Sequence, residues 1–242
     1  MSAVVTKLGH ESPETGRQRE DLVRLAIADP PYLGRADRWY GSGRGHRGGA
    51  GRAAAHEEAA EWDQPATHQE LVARLETGYD GWVIAASADS LATYLPVCPR
   101  GVRVLAWHKG NAIPSGSRIA NQWEPVIARV PDGRSGRTSG AAVSDVLTAG
   151  ISYRHNYVGS KPYQWTHWVL DVLGYQPDDV VHDLFAGSGA VSLAASLYDL
   201  PPSQQCASCG APIQQPSTGR PRRTCSDACR RRLARRGRGS LQ

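Results

Sequence analysis

Asp29-Pro30-Pro31-Tyr32 has the residue types needed to hold an amine for group transfer, and it directly follows an apolar run at 21–29. The Asp29 carboxylate and the Pro30 carbonyl can accept hydrogen bonds from an exocyclic amine, and the two prolines fix the backbone. Tyr32 can stack on a flipped-out base. The alternative is a strand that ends in an ordinary proline turn.

A second segment joins an apolar strand to a helix of small residues through a glycine turn. It reads Asp183-Leu184-Phe185-Ala186-Gly187-Ser188-Gly189. Glycines let a backbone approach a ligand closely, and the N–H groups at the following helix start can meet a carboxylate. A tight turn that binds nothing is the alternative.

Four of the five cysteines stand in the last 37 residues, with the spacing Cys206-x2-Cys209-x15-Cys225-x3-Cys229. Two such pairs predict tetrahedral sulfur ligation of a structural zinc ion. Four thiolates leave no position for a catalytic water, so this zinc is expected to hold the fold. A redox role or free thiols are the alternatives.

The positive charge is concentrated at the C-terminal end. Residues 202–242 contain nine arginines and one acid, a net charge of +8, whereas residues 1–201 carry −3. This asymmetry predicts a basic tail that contacts nucleic acid, with a merely solvated tail as the alternative. The first 20 residues are polar, and no apolar run is long enough to cross a membrane. We therefore expect a cytoplasmic protein.

The elements that must position these residues alternate between strand and helix. An open α/β sheet, mostly parallel and covered on both faces, is expected, with its site at the carboxyl ends of the strands. Strands are predicted at 21–29, 81–87, 102–108 and 123–130, helices at 68–78, 89–97 and 161–175, and a strand, turn and helix over 180–198. The expected units are a loose leader (1–20), an α/β domain (21–200) containing a long Gly/Arg loop (34–65), and a zinc module with a basic tail (203–242).

Together the two motifs resemble those of the DNA amino-methyltransferases that modify adenine N6 or cytosine N4. Lys161-Pro162 resembles the Lys-Pro element of that family, and the motif order is its circularly permuted order, as in short phage and actinobacterial forms. The resemblance covers residues 21–198 and implies a Rossmann-like sheet. It implies catalysis by Asp29, Pro30, Pro31 and Tyr32, and S-adenosylmethionine binding by Asp183, Phe185, Gly187, Ser188, Gly189 and Lys161. The C-terminal cysteines resemble treble-clef-like zinc modules.

The chain departs from that family after the glycine motif. Full-length relatives continue with two further strands, whereas here the helix runs into Pro201-Pro202 and the cysteines. A truncated sheet is therefore expected, with an incomplete adenosine side of the cofactor pocket.

The resulting hypothesis is a site-specific methyltransferase acting on double-stranded DNA. The family resemblance implies adenine N6 rather than cytosine N4, because Asp29 starts the catalytic motif, where cytosine-N4 enzymes of that family more often have Ser. The rival hypothesis is a catalytically degenerate DNA-binding protein on the same fold. We also expect Asp29 and Asp183 to open onto one cleft, with Tyr32 and Gly187 on its rim.

Overall fold

The computed structural model describes residues 3–5, 22–36, 57–110, 118–136, 140–151, 161–187 and 189–239. The strands are β1 Ala3–Val5, β2 Arg24–Ala28, β3 Gly81–Ala85, β4 Arg103–His108, β5 Trp123–Arg129, β6 Val146–Thr148 and β7 Val180–Asp183. The α-helices are α1 Pro65–Gly78, α2 Leu91–Tyr94, α3 Tyr163–Leu173, α4 Ala190–Ser196 and α5 Asp227–Gly239. Short 3-10 helices cover Glu57–Asp63, Ala88–Ser90, Leu95–Val97 and Pro202–Gln204.

All seven strands form one sheet in the order β1-β7-β2-β3-β5-β4-β6. The central strands β7, β2 and β3 are parallel, as is the pair β4 and β6. The pairs β1–β7, β3–β5 and β4–β5 are antiparallel. The predicted α/β sheet is confirmed, but the expectation of a mostly parallel sheet is wrong. The reason is that β4 and β5 form a hairpin, which needs no helical crossover.

Two apolar clusters cover the two faces of the sheet, as expected. Alternate residues of a strand point to opposite faces, so Leu25 and Ile27 belong to one cluster, while Ala26 and Ala28 belong to the other. The first cluster includes buried residues of α3 and α4. The second includes buried residues of α1 and α2.

Helix α3 matters for the site because its first turn follows Lys161. Its buried face has five apolar residues: Trp165, Trp168, Val169, Leu170 and Leu173. The helix ends at Gly174, which adopts a left-handed conformation with φ of 64° that glycine reaches without strain.

The sheet is truncated after the glycine motif. Within the described part of the chain, no strand of the sheet follows β7. The edge beside β7 is instead occupied by β1, which lies inside the segment expected to be a loose leader. Residues 3–5 therefore correct that expectation. Residues 1–2 and 6–20 lie outside the described residues, as does 37–56 of the predicted Gly/Arg loop.

The C-terminal module has a very small core. Cys206, Ile213 and Cys229 are buried, with Cys209 packed against them. Helix α5 carries most of the arginines of the module, and its described side chains are largely exposed. Among the described helices, none has the length and apolar character required to cross a membrane.

Candidate active site and four-cysteine cluster

Neighbouring parallel strands bring the two motifs together. Strand β2 runs beside β7 with Ile27 opposite Asp183, and the Leu184 N–H donates to the Ile27 carbonyl at 3.0 Å. Parallel neighbours lie about 4.8 Å apart, so Asp29, two residues after Ile27, leaves the sheet beside the glycine turn. The structure thus brings both predicted motifs to one edge, although they are about 150 residues apart in the chain.

The tetrapeptide has a defined geometry at this edge. Pro30 is buried, whereas Asp29, Pro31 and Tyr32 are partly exposed. The Tyr32 carbonyl accepts from the N–H of Arg35 at 2.9 Å, which forms a turn directly after the motif. The acid and the aromatic ring therefore stand at the surface of the site on a rigid backbone.

Lys161 forms the centre of the charged part of the site. Its side chain is 3% exposed, and its Nζ donates to Asp29 Oδ1 at 2.7 Å and to the Tyr32 hydroxyl at 3.2 Å. The Nζ atom also lies 5.4 Å from the ring centres of both Tyr32 and Trp107 and 5.6 Å from that of Trp165. The residue expected to bind the cofactor thus contacts the catalytic tetrapeptide, and a cofactor contact stays a prediction.

Sequence reasoning missed Glu124 and Lys109. Glu124 of β5 accepts from the Tyr32 hydroxyl at 2.6 Å and from Lys109 Nζ at 3.0 Å, and its other ion-pair partner is Lys161 at 3.8 Å. The side chains of Glu124 and Lys109 are only 14% and 8% exposed, respectively. The available signal was an acid inside the apolar run of β5, which is costly unless it is paired.

Opposing effects set the protonation of the two carboxylates. Burial raises the pKa of Asp29, and Lys161 opposes that rise. Burial also acts to raise the pKa of Glu124, but Lys161 and Lys109 outweigh it and hold that pKa below the usual range. Glu124 is therefore the fixed anion of the site, and Asp29 is the better proton acceptor.

The glycine turn is held by Asp183. Its Oδ1 accepts from the Phe185 N–H at 3.3 Å, and its Oδ2 accepts from the Ser192 hydroxyl at 2.7 Å. Asp183 is 1% exposed, so the expectation that it opens onto a cleft is wrong: its oxygens bond to the chain itself. Burial raises the pKa of Asp183.

Gly187 and Gly189 both have positive φ, 40° and 68°, which explains why the turn needs glycine. Among the residues that the structure describes, none has an atom within 4 Å of a Cβ built at Gly189. Ser188, a further predicted cofactor residue, lies outside the described residues.

Trp62 and Asp63, which the sequence did not single out, connect the two motifs. The Trp62 ring packs edge-to-face on Phe185 at 4.9 Å, and Asp63 Oδ1 accepts from the Ala36 N–H at 2.8 Å. His68 is buried and bonds through Nε2 to the Trp62 carbonyl at 2.7 Å, while its Nδ1 contacts the Tyr94 hydroxyl. The carbonyl must accept, so the proton is on Nε2 and Tyr94 donates to Nδ1.

The four predicted metal ligands form one cluster. The Sγ atoms of Cys206, Cys209, Cys225 and Cys229 lie within 4.8 Å of one another, and two of the Sγ pairs are 3.6 Å apart. Tetrahedral zinc with Zn–S bonds of about 2.3 Å places its sulfurs about 3.8 Å apart. The donor set and spacing therefore fit zinc.

Backbone amides favour the thiolate form of Cys206, whereas burial raises the pKa of Cys209 and of Cys225. Burial acts to raise the pKa of Cys206, but the N–H groups of Cys225, Ser208 and Cys209 outweigh it and lower that pKa to about 7. The Cys225 N–H donates to Cys206 Sγ at 3.3 Å. A pre-formed thiolate is the form that binds metal.

Comparisons with known proteins give only a distant likeness. No family model matches the chain, and no curated protein matches it. The crystal structure of the M1.HpyAVI–SAM complex aligns with a TM-score of 0.46 and 16% identity over 74% of this chain and 80% of that one. A structure of M1.HpyAVI aligns with a TM-score of 0.45 and the same identity over 74% and 78%. Function has to be inferred from the site itself.

Proposed function

We propose that the chain is an S-adenosylmethionine-dependent methyltransferase that acts on an exocyclic amine in double-stranded DNA, with adenine N6 favoured over cytosine N4. The observation that carries the proposal is the juxtaposition of Asp29 and Tyr32 with the glycine turn on neighbouring parallel strands. A methyl donor and an acceptor base must meet within one small site, and this edge offers groups suited to each.

The glycine turn fits a cofactor on structural grounds. No described residue fills the space where a side chain of Gly189 would stand, and the rings of Phe185 and Trp62 pack together beside the turn. S-adenosylmethionine, when bound there, supplies an electrophilic methyl group. The chain contributes position: Asp183 fixes the turn by accepting from Phe185 and Ser192.

The tetrapeptide supports the acceptor half of the reaction. Lys161 occupies Oδ1 of Asp29, and Oδ2 has no hydrogen-bond partner among the residues described. Oδ2 and the Pro30 carbonyl can accept from the amine while the ring stacks on Tyr32. As the new N–C bond forms and the C–S bond of the donor breaks, the amine loses a proton, for which Asp29 is the nearest acceptor in this proposal. Burial raises the Asp29 pKa and makes it a better base.

The pairing of charges in the site suits an uncharged nucleobase as the substrate. Asp29 and Glu124 face Lys161 and Lys109, so the four groups together are close to neutral. Glu124 fixes the Tyr32 hydroxyl, which restrains the ring that would stack on the base. A preorganised site of this kind spends less binding energy on ordering its own side chains.

The zinc-fitting module is proposed to add affinity for DNA. Exposed arginines on α5 can pair with phosphates, whereas the module offers few groups suited to reading base edges. Action on DNA agrees with the cytoplasmic location expected from the sequence.

A DNA-binding protein without catalysis is the second candidate. Two observations favour it: Lys161 already binds the Asp29 carboxylate, and β1 occupies the edge beside β7. Calorimetric titration of the full-length protein with S-adenosylmethionine separates the candidates. Saturable one-to-one binding that Gly189→Val weakens at least tenfold, with the thermal transition retained, supports the enzyme. Absence of binding at millimolar ligand supports the rival.

A further inference from the structure

The cysteine cluster touches the helix that follows Lys161. The Gln164 side chain on the first turn of α3 donates through Nε2 to the Ser208 carbonyl at 2.6 Å. Ser208 lies between the ligands Cys206 and Cys209 and is 1% exposed. The loop from Cys206 to Gly210, here called the knuckle, is therefore packed on α3.

Gly210 makes the second contact. A Cβ at this position would lie 3.2 Å from Cβ of Tyr163 and 3.7 Å from the backbone nitrogen of Gln164, and its φ is +75°. Glycine thus meets both the conformation of the knuckle and its close approach to α3. The Gly210 N–H returns to the Cys206 carbonyl at 2.8 Å, which closes the knuckle on itself.

The first turn of α3 has no side-chain cap of its own. Its N-cap is Pro162, which makes no side-chain hydrogen bond to the helix, and Lys161 immediately precedes it. A helix start without a side-chain cap leaves backbone N–H groups unpaired and frays more easily. Contacts from outside the helix therefore weigh more here, and the knuckle provides them.

We propose that Gln164 is a positioning residue. Through it, the metal-held knuckle keeps the first turn of α3 in place, and with it Lys161 within hydrogen-bonding distance of Asp29. The module thereby supports the site mechanically in addition to any contact with DNA. The consequence for methyl transfer rests on the proposed function, whereas the coupling of metal, helix and lysine can be measured without it.

Hydrogen exchange read by mass spectrometry tests the helix part of the proposal on the full-length, zinc-loaded protein. Gln164→Ala is expected to speed exchange of the amides over 163–168 about fivefold, the size of one lost hydrogen bond, with zinc still bound. Chelation of the zinc in the wild type should speed the same amides at least as much. Chelation should add less in Gln164→Ala, because one link is already cut.

Gln215→Ala is the matched control, because the Gln215 side chain bonds within the module, to Ser203 and Arg222, and not to α3. With zinc retained, it should leave exchange over 163–168 unchanged. Helix α1, on the opposite face of the sheet, serves as an internal control in every variant. Equal exchange over 163–168 in wild type, Gln164→Ala and metal-free protein overturns the proposal.

A carboxyl NMR titration tests whether Lys161 itself moves. Asp29 faces Lys161, Glu124 and Asp183, of which only Lys161 lowers its pKa. Gln164→Ala and chelation should therefore raise the Asp29 midpoint, and Gln215→Ala should not. Faster helix exchange with an unmoved Asp29 midpoint would show a merely structural contact and overturn the positioning role. Both readouts omit DNA and methyl donor, so their failure is distinct from failure of the proposed function.

Discussion

The sheet site and the cysteine module are stabilised in different ways. In the sheet, Glu124 forms ion pairs with Lys161 and Lys109. The Nζ atom of Lys161 lies over the rings of Trp107 and Trp165, which belong to a large apolar cluster. In the module, four thiols surround a core in which Ile213 is the one aliphatic residue among the described buried side chains. Burial supports the first region, and metal ligation must support the second.

This difference indicates that each region fails under a different perturbation. Loss of apolar volume should damage the sheet and spare the metal, whereas loss of the metal should unfold the module and spare most of the sheet. The contact of Gln164 with Ser208 joins the two regions, so it should respond to both perturbations.

Metal removal has the largest expected effect. Binding of structural zinc is worth about 10–16 kcal/mol in small zinc-dependent folds, so its removal should unfold residues 203–239. Cys229→Ser should lower zinc from one ion per chain to none and abolish exchange protection in α5, while the main thermal transition persists. Metal analysis and hydrogen exchange check this. Cys98→Ser, outside the cluster, should keep the zinc; a metal-free but protected α5 contradicts the account.

Trp82→Ala should destabilise the sheet and leave the cysteine module intact. Trp82 is 0% exposed, and its Nε1 donates to Glu76 at 2.6 Å, so truncation leaves a cavity and an unpaired acceptor. We expect a loss of about 3–5 kcal/mol in the free energy of unfolding with the zinc retained. Trp123→Ala, where the residue is 40% exposed, is the matched control and should cost far less. Equal losses in chemical denaturation would contradict this assignment.

Lys161→Met should change the pH dependence of the site. Lys161 lowers the Asp29 pKa, so its removal adds to the rise caused by burial. The acid limb of the methyl-transfer rate should then move to higher pH by about 1–3 units. Lys109→Met removes a buried lysine that bonds to Glu124 and not to Asp29, so its acid limb should move much less. Identical profiles for wild type and Lys161→Met would be inconsistent with the ion pair.

Single arginines on α5 carry the smallest expected effect. Arg231 and Arg235 stand one turn apart on an exposed surface. Each alanine variant should weaken binding of all DNA sequences alike and reduce the slope of log K against log salt by about 1. Fluorescence anisotropy over a salt series measures both quantities. A change in the preferred sequence would contradict a phosphate-only role.

Much of the central fold could be predicted from the sequence, because periodicity and turn residues act locally. The parallel strands around Asp29 and Asp183 and the inward face of α3 have clear signals of this kind. Strand β6 did not, because it has only three residues, too few to show a strand periodicity. The antiparallel return of β5 also escaped, since pairing between distant segments leaves no local pattern.

Parts of the candidate site could also be predicted from the sequence, and parts could not. The four cysteines carry their chemistry in their spacing, and the structure brings them together as predicted. Glu124 meets Tyr32 across 92 positions of sequence, so only the fold reveals the contact. The expectation that Asp183 opens onto a cleft was wrong, because a carboxylate beside a glycine turn looks the same in sequence whether it faces a ligand or holds the turn.

Methyl transfer by the zinc-loaded protein tests the central claim most directly. Wild type, Asp29→Asn and Asp227→Asn are incubated with labelled S-adenosylmethionine and mixed-sequence DNA, and the modified nucleosides are then separated. The account predicts N6-methyladenine from wild type and from Asp227→Asn, whose substituted residue is exposed on α5. It predicts at least about a hundredfold lower rate for Asp29→Asn, with cofactor binding retained. No incorporation by wild type at saturating cofactor, or equal rates for wild type and Asp29→Asn, would contradict it.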